Sequence, residues 1–223
     1  MGEREGAQGA AARGAIAGIV VISAYIGAQM LADINSLKFA RLGPFSIDGG
    51  TFVYPLTFTL RDLVHKLLGK RAARTLIVAA AVINLVMAAS FAFVAWLPAD
   101  PEWGLQAEFA VILGPVWRIV IASIAAEVIS ELLDTEVYSL WVRRIAVRYR
   151  WARPQWLRVL SSNLVSLPVD SLVFAWGAFG GVLPASVVWS IVVSNVLIKL
   201  VVSLVSMPGI YLVPEGAAAA SRA

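Results

Sequence analysis

The sequence predicts an all-α polytopic membrane protein, a bundle of six transmembrane helices with both termini in the cytoplasm. Of its 223 residues, 60% are hydrophobic and 14% are charged, against about 25% charged in soluble domains. A lipid core about 30 Å thick requires roughly 20 predominantly apolar residues per helical crossing. The chain holds several stretches of that length, separated by short charged or Pro/Gly-rich segments. Together they use most of the chain and leave no room for a soluble domain.

Hydropathy and punctuation place the crossings near Gly14 to Ile34, Gly50 to Leu68, Arg74 to Leu97, Pro115 to Trp141, Val159 to Val182 and Ala185 to Leu212. The organisation is then a polar N-terminal tail over residues 1–13, a membrane domain over 14–212 and a C-terminal tail over 213–223. The tail carries Glu3, Arg4, Glu5 and Arg13 and runs into a full-length span, so the first helix reads as retained rather than as a cleaved signal. The second span contains Arg61, Asp62 and His65. It reads as a shorter, tilted or partly re-entrant helix entered through the Asp48-Gly49-Gly50 turn.

Orientation follows from the basic residues, which collect in cytoplasmic loops. Lys66, Lys70, Arg71 and Arg74 lie between spans two and three, and Arg143, Arg144, Arg148, Arg150, Arg153 and Arg158 between four and five. Both loops are assigned to the cytoplasm of a multi-pass protein in the cell's inner (plasma) membrane. The connection from Pro98 to Gly114 has only acidic charges, and the turn near Gly180, Gly181 and Pro184 has none, as outer loops should. Lys38 and Arg41 in the first outer loop run against the rule and are outnumbered. The net charge of +4 is accounted for by this topology, so no nucleic-acid partner is called for. With no cysteine and one histidine, thiolate chemistry and Cys- or His-rich metal sites are excluded, and no cofactor is expected.

The informative residues are ionisable side chains inside spans, each costing about 2.5–3.5 kcal/mol at a helix centre on insertion scales. On span four, Glu127, Glu131, Asp134 and Tyr138 follow i, i+4, i+7, i+11 spacing and share one face. On span five, Asn163, Ser166 and Asp170 do so, with Pro168 loosening the backbone beside them. On span six, Asn195, Lys199, Ser203 and Ser206 form a third polar face, and on span two Tyr54, Thr57, Arg61 and His65 a fourth. Asp170 and Lys199 both lie near mid-helix, each a counter-charge for the other or for an acid on span four. Four inward polar faces describe a cavity near the membrane midplane.

A plainer reading stands beside each residue. Ser166, Ser203 and Asn195 serve equally well as interhelical hydrogen-bonding glue. Arg118, Glu108 and Glu136 suit interfacial positions, and His65 sits near enough the cytoplasmic Lys66–Lys70 cluster to face headgroups. Most tryptophans fall near span ends, as in an aromatic belt. Gly14/Gly18 and Ala24/Ala28 in span one have the small-xxx-small spacing of close helix packing. Oligomeric state stays open, a homodimer included.

Three segments carry a family resemblance. The first is Tyr54-Pro55-Leu56, then Arg61-Asp62, then Leu68-Gly69-Lys70 with Ala73-Arg74. The second runs from Ala122-Ser123 through Glu131 and Asp134 into the basic loop. The third is Ser161-Ser162-Asn163 through Asp170-Ser171, with Lys199 and Pro208. In this order the chain resembles the VUT family of queuosine precursor transporters, from about Ala24 to Pro214. It departs from the family pattern at His65, Glu131 and Ser171, where an acid, a Gln and a Thr are expected.

The resemblance implies uptake of 7-cyano-7-deazaguanine or a related 7-deazapurine. A guanine-like edge offers two adjacent N–H donors, which a carboxylate accepts as a pair; Asp170, Glu131 or Glu127 would fill that role. Lys199 or Asn163 would donate to the carbonyl oxygen, and Trp176 or Phe174 would stack on the ring. Asp62, Asp134, Arg61 and His65 are the coupling or gating candidates. The leading expectation is a secondary transporter, proton coupling being one form of it. The alternative is a membrane subunit that captures substrate for a separate ATPase module, since the chain has no G-x-x-x-x-G-K-[ST] loop of its own. Neither H-E-x-x-H nor G-x-S-x-G is present, so no enzyme activity is expected.

Overall fold

The computed structural model describes residues 2–146, 149 and 155–206, with side chains from Ala15 onward save at scattered helical positions. The C-terminal tail assigned to 213–223 lies outside the described residues, as does much of the arginine-rich connection after the fourth span. Among the described residues seven α-helices follow in order: α1 (Gly2–Asn35), α2 (Tyr54–Leu68), α3 (Lys70–Trp96), α4 (Gln106–Leu113), α5 (Val116–Leu140), α6 (Gln155–Phe179) and α7 (Ala185–Ser206). Between α1 and α2 lies an antiparallel hairpin, β1 (Phe39–Leu42) and β2 (Phe45–Asp48), followed by a 3-10 turn over Gly49–Phe52.

Among the described residues four stretches are long and apolar enough to cross a membrane: Ala15–Asn35, Arg71–Trp96, Gln106–Ser130 and Ala185–Val205. A shorter apolar stretch, Asn163–Phe179, occupies α6. Helix α2 has 15 residues, roughly 22 Å at 1.5 Å per residue, well short of a perpendicular crossing. Large aliphatics project outward in stripes, with Ile16, Ile19 and Val20 on α1, Val78, Val82 and Val86 on α3, and Val201 and Val205 on α7 all more than half exposed. A water-soluble surface does not carry such stripes; a multi-pass membrane protein needs them.

Two segments differ from their sequence expectation. The connection from Pro98 to Gly114 is not all loop, because its second half forms α4. The apolar run opening at Gln106 is helical until Pro115, which has no N–H to continue the ladder. Gln106 Nε2 donates to the Ala95 carbonyl at 2.7 Å and ties α4 to the end of α3. The apolar crossing stretch consequently begins at Gln106 rather than at Pro115. Likewise, residues 39–48 read as loop but pair as strands. Gly43, at φ +59°, and Pro44 turn the chain between Leu42 and Phe45.

Three apolar clusters hold the bundle. One joins α1, α2 and α3 around Tyr25, Val64, Leu76 and Ala80. A second joins α3 to α5 through Met87, Ala88, Val116 and Val120. The third packs α5, α6 and α7 around Ala122, Ala175, Val188 and Ile191. Alanines and Gly177 let α5 and α6 approach closely: a Cβ on Gly177 would stand 2.9 Å from that of Ala122. Arg118, expected at the interface, does more than snorkel. Its Nε donates to the Gly177 carbonyl at 2.8 Å and its Nη2 to that of Gly180, satisfying the C-terminal carbonyls of α6 with a cation.

The hairpin is pinned to α7, with Ser46 N donating to Ser190 Oγ at 2.8 Å and Ser194 Oγ to the Ser46 carbonyl at 3.1 Å. Its other end closes on α1 at Gly50. A Cβ there would fall on Ser36 Oγ and 2.5 Å from the Ala32 carbonyl oxygen. Gly50→Ala is therefore expected to cost about 1–3 kcal/mol, as overpacking does. The measurement is the melting temperature of the detergent-solubilised protein, and an unchanged value would refute the close approach.

Candidate functional site

Polar side chains from several helices and the hairpin line an internal chamber. Its walls come from Asp33 on α1, Ser36, Asp48 at the end of β2, Gly50 and Thr51 in the 3-10 turn, and Tyr54 at the start of α2. Ser123 and Ala126 on α5, Asp170 and Phe174 on α6, and Asn195 and Lys199 on α7 complete it. The helical register explains the selection. Asp170 and Phe174, like Asn195 and Lys199, are four apart and share a face.

Lys199 Nζ forms an ion pair with Asp170 Oδ2, both residues being almost wholly buried. The other carboxylate oxygen, Oδ1, accepts from Ser130 Oγ at 3.2 Å, and Lys199 Nζ sits 4.7 Å from the Tyr54 ring centroid. An ammonium between a carboxylate and an aromatic face is held by charge and by the ring quadrupole together. Asp48 is equally engaged. Its Oδ1 accepts from Ser36 Oγ at 2.8 Å and Thr51 N at 3.2 Å, its Oδ2 from Thr51 Oγ1 at 2.7 Å. The Thr51 hydroxyl also bonds the side-chain amide of Asn195, linking the hairpin end to α7. Asp33 is held on one side only, its Oδ1 accepting from Ser123 Oγ at 3.0 Å.

Of the other sequence candidates whose side chains are described, one lines the chamber and the rest lie elsewhere. Phe174 lines it. Trp176 does not: two residues further round α6, it stacks edge-on against Trp189, centroids 6.0 Å apart, and is exposed. Asn163 donates to Ser203 Oγ at 2.6 Å, two turns before Asp170 along the seam of α6 and α7. Glu127 accepts from Tyr25 OH at 3.1 Å, and Gln29 Nε2 donates to the same hydroxyl at 2.9 Å. Arg61 packs over the Phe58 ring at 5.6 Å and is close enough to Tyr25 to act on it electrostatically. His65 is exposed on α2. The side chains of Asp62, Glu131 and Asp134 lie outside the described residues.

Sequence reasoning passed over Asp33, Ser36, Asp48, Thr51 and Ser123. A signal existed for the first two. Tyr25, Gln29, Asp33 and Ser36 follow i, i+4, i+8, i+11, the same polar stripe that singled out the other helices.

A family model described as "Putative vitamin uptake transporter" matches residues 48–213, most of the chain. The chain belongs to this transporter family. A curated relative from Bacillus subtilis (strain 168), described as "Probable queuosine precursor transporter", is 30% identical over 186 residues, covering 82% of this chain and 79% of its own. No solved structure matches. As a member of the uptake transporter family the chain is not an enzyme. The matched region begins at Asp48 and takes in every chamber residue except Ala32, Asp33 and Ser36.

Proposed function

We propose that the chain imports a queuosine precursor, 7-cyano-7-deazaguanine or a related 7-deazapurine, across the inner (plasma) membrane as a six-span secondary carrier with both termini in the cytoplasm. Helices α2 and α6 would add two crossings to the four long apolar stretches, and the basic segments after α2 and α5 would face inward. The observation that carries the reading is the buried Asp170–Lys199 pair on the wall of a chamber that also holds aromatic faces. Buried charge of this kind inside a membrane protein belongs by default to a ligand or ion pathway. An ammonium has three donors; one meets Asp170, and another suits the lactam oxygen of a deazaguanine. Phe174, not Trp176, is the ring placed to stack. The relative's printed name supports the substrate class.

In this scheme the bundle alternates between inward-open and outward-open states around the chamber. The hairpin would cover it on the outer side, and Arg61, Asp62, His65 and Asp134 would serve coupling or gating towards the cytoplasm. The test is uptake of labelled 7-cyano-7-deazaguanine into proteoliposomes containing only this protein, with and without an imposed pH gradient. Uptake that rises with the gradient is expected. Binding without uptake would mean that a separate module supplies the energy, and no binding at all would remove the substrate assignment.

A further inference from the structure

Three described carboxylates line the chamber, and they differ in what their oxygens already do. Both oxygens of Asp170 are engaged, by Lys199 and by Ser130. Both oxygens of Asp48 are engaged, by Ser36 and Thr51. Asp33 is as buried as they are, at 3% exposure, yet its Oδ2 has no hydrogen-bond partner. A buried acceptor left unmet costs about 1–3 kcal/mol, more when charged, and such groups call for a functional explanation. Two other buried oxygens, on Asn84 and Ser171, are also unmet, but neither residue lines the chamber.

We propose that Asp33, not Asp170, is the carboxylate that accepts the paired N–H donors of the substrate's guanine-like edge. This rests on the transport reading above and names the group that gives it specificity. The chemistry fits in detail. Oδ2 has its lone pairs free, and Oδ1, which takes one bond from Ser123, keeps a second acceptor site. A lactam N–H and its neighbouring amine N–H can then bind as two parallel charge-assisted bonds. The Ser123 hydroxyl fixes the carboxylate's orientation before ligand arrives, and a pre-oriented acceptor loses little freedom on binding. Asp170 is left to hold the Lys199 ammonium, which faces the same space. An acid on α1 and a base on α7 would thus meet one edge of a flat ring, the acid at its paired N–H donors and the base at the adjacent lactam oxygen.

The experiment measures affinity of the purified protein, wild type and Asp33→Asn, for 7-cyano-7-deazaguanine and for its analogue lacking the exocyclic amine. Wild type is expected to bind the parent compound about 10- to 100-fold more tightly than the analogue, the range of hydrogen bonds to a charged group. Asp33→Asn is expected to lose that much affinity for the parent and to bind both compounds alike. A variant that keeps wild-type affinity and discrimination overturns the assignment and leaves the transport reading standing. A wild-type protein that binds neither compound removes the transport reading, and this one with it. Should Asp33→Asn fail to insert, Asp33→Glu puts the same question. Moving the carboxylate by one methylene should weaken binding while preserving preference for the amine, and unchanged affinity overturns the proposal.

Discussion

Asp170→Asn is expected to bring deazaguanine uptake to background in proteoliposomes while leaving the protein inserted and less stable. The side chain keeps its size and an acceptor for Ser130, so packing of α6 against α5 is retained. What disappears is the charge opposite Lys199, which is 4% exposed. The ammonium is then left with a neutral amide and the Tyr54 ring, and breaking a buried pair by removing one partner costs about 3–5 kcal/mol. An uncompensated cation pulls anion or water towards itself and is no longer held in place to meet the lactam oxygen. Uptake and melting temperature, measured on the same preparation, check both parts. Wild-type uptake by the variant would remove the ion pair from the transport scheme.

How much of this was legible in the sequence depended on the contrast between a residue and its surroundings. Asp170 and Lys199 stand in the middle of long apolar runs, where any charge is conspicuous. The apolar stretches were legible for the same reason, the sequence spans near Gly14 and Arg74 matching Ala15–Asn35 and Arg71–Trp96 and the span from Ala185 starting where α7 does, although α1 itself extends back to Gly2. Asp33 lies one turn from the end of α1, where a charge is ordinary and draws no notice. Asp48 sits beside two glycines and reads as turn punctuation; only the fold shows it buried, its carboxylate bonded by Ser36 and Thr51. Two four-residue strands joined by a Gly-Pro pair hide the hairpin, since short strands leave little periodicity to detect.

Aromatic placement was partly decidable from geometry. At about 100° per residue, Phe174 follows Asp170 by just over a full turn, whereas Trp176 falls about 120° off that face. Both were candidates for stacking, and only one can share the wall with Asp170. Glu127 was grouped with Glu131 and Asp134 by spacing alone; in the fold Glu127 is bound to Tyr25 of α1. Spacing fixes which residues share a face of one helix. It carries no information on which neighbour that face meets, because that depends on helix order and rotation in the bundle.

The plainest rival to the transport role of the ion pair is that Asp170 and Lys199 only hold α6 to α7. Neutralising both at once separates the two accounts. In Asp170→Asn combined with Lys199→Met, no charge remains buried, and the desolvation penalty that the single variant suffers is gone. Replacing a complete buried pair by groups of similar volume is often neutral or stabilising, by about 1–4 kcal/mol. The double variant is therefore expected to melt near or above the wild type, well above Asp170→Asn alone. Its uptake is expected to stay at background, because the chamber has lost the donor for the lactam oxygen and the acid that holds it. If restored stability brought restored uptake, the pair would be packing. A stable bundle that still binds no deazaguanine leaves the charges with a role in the chamber that packing cannot replace.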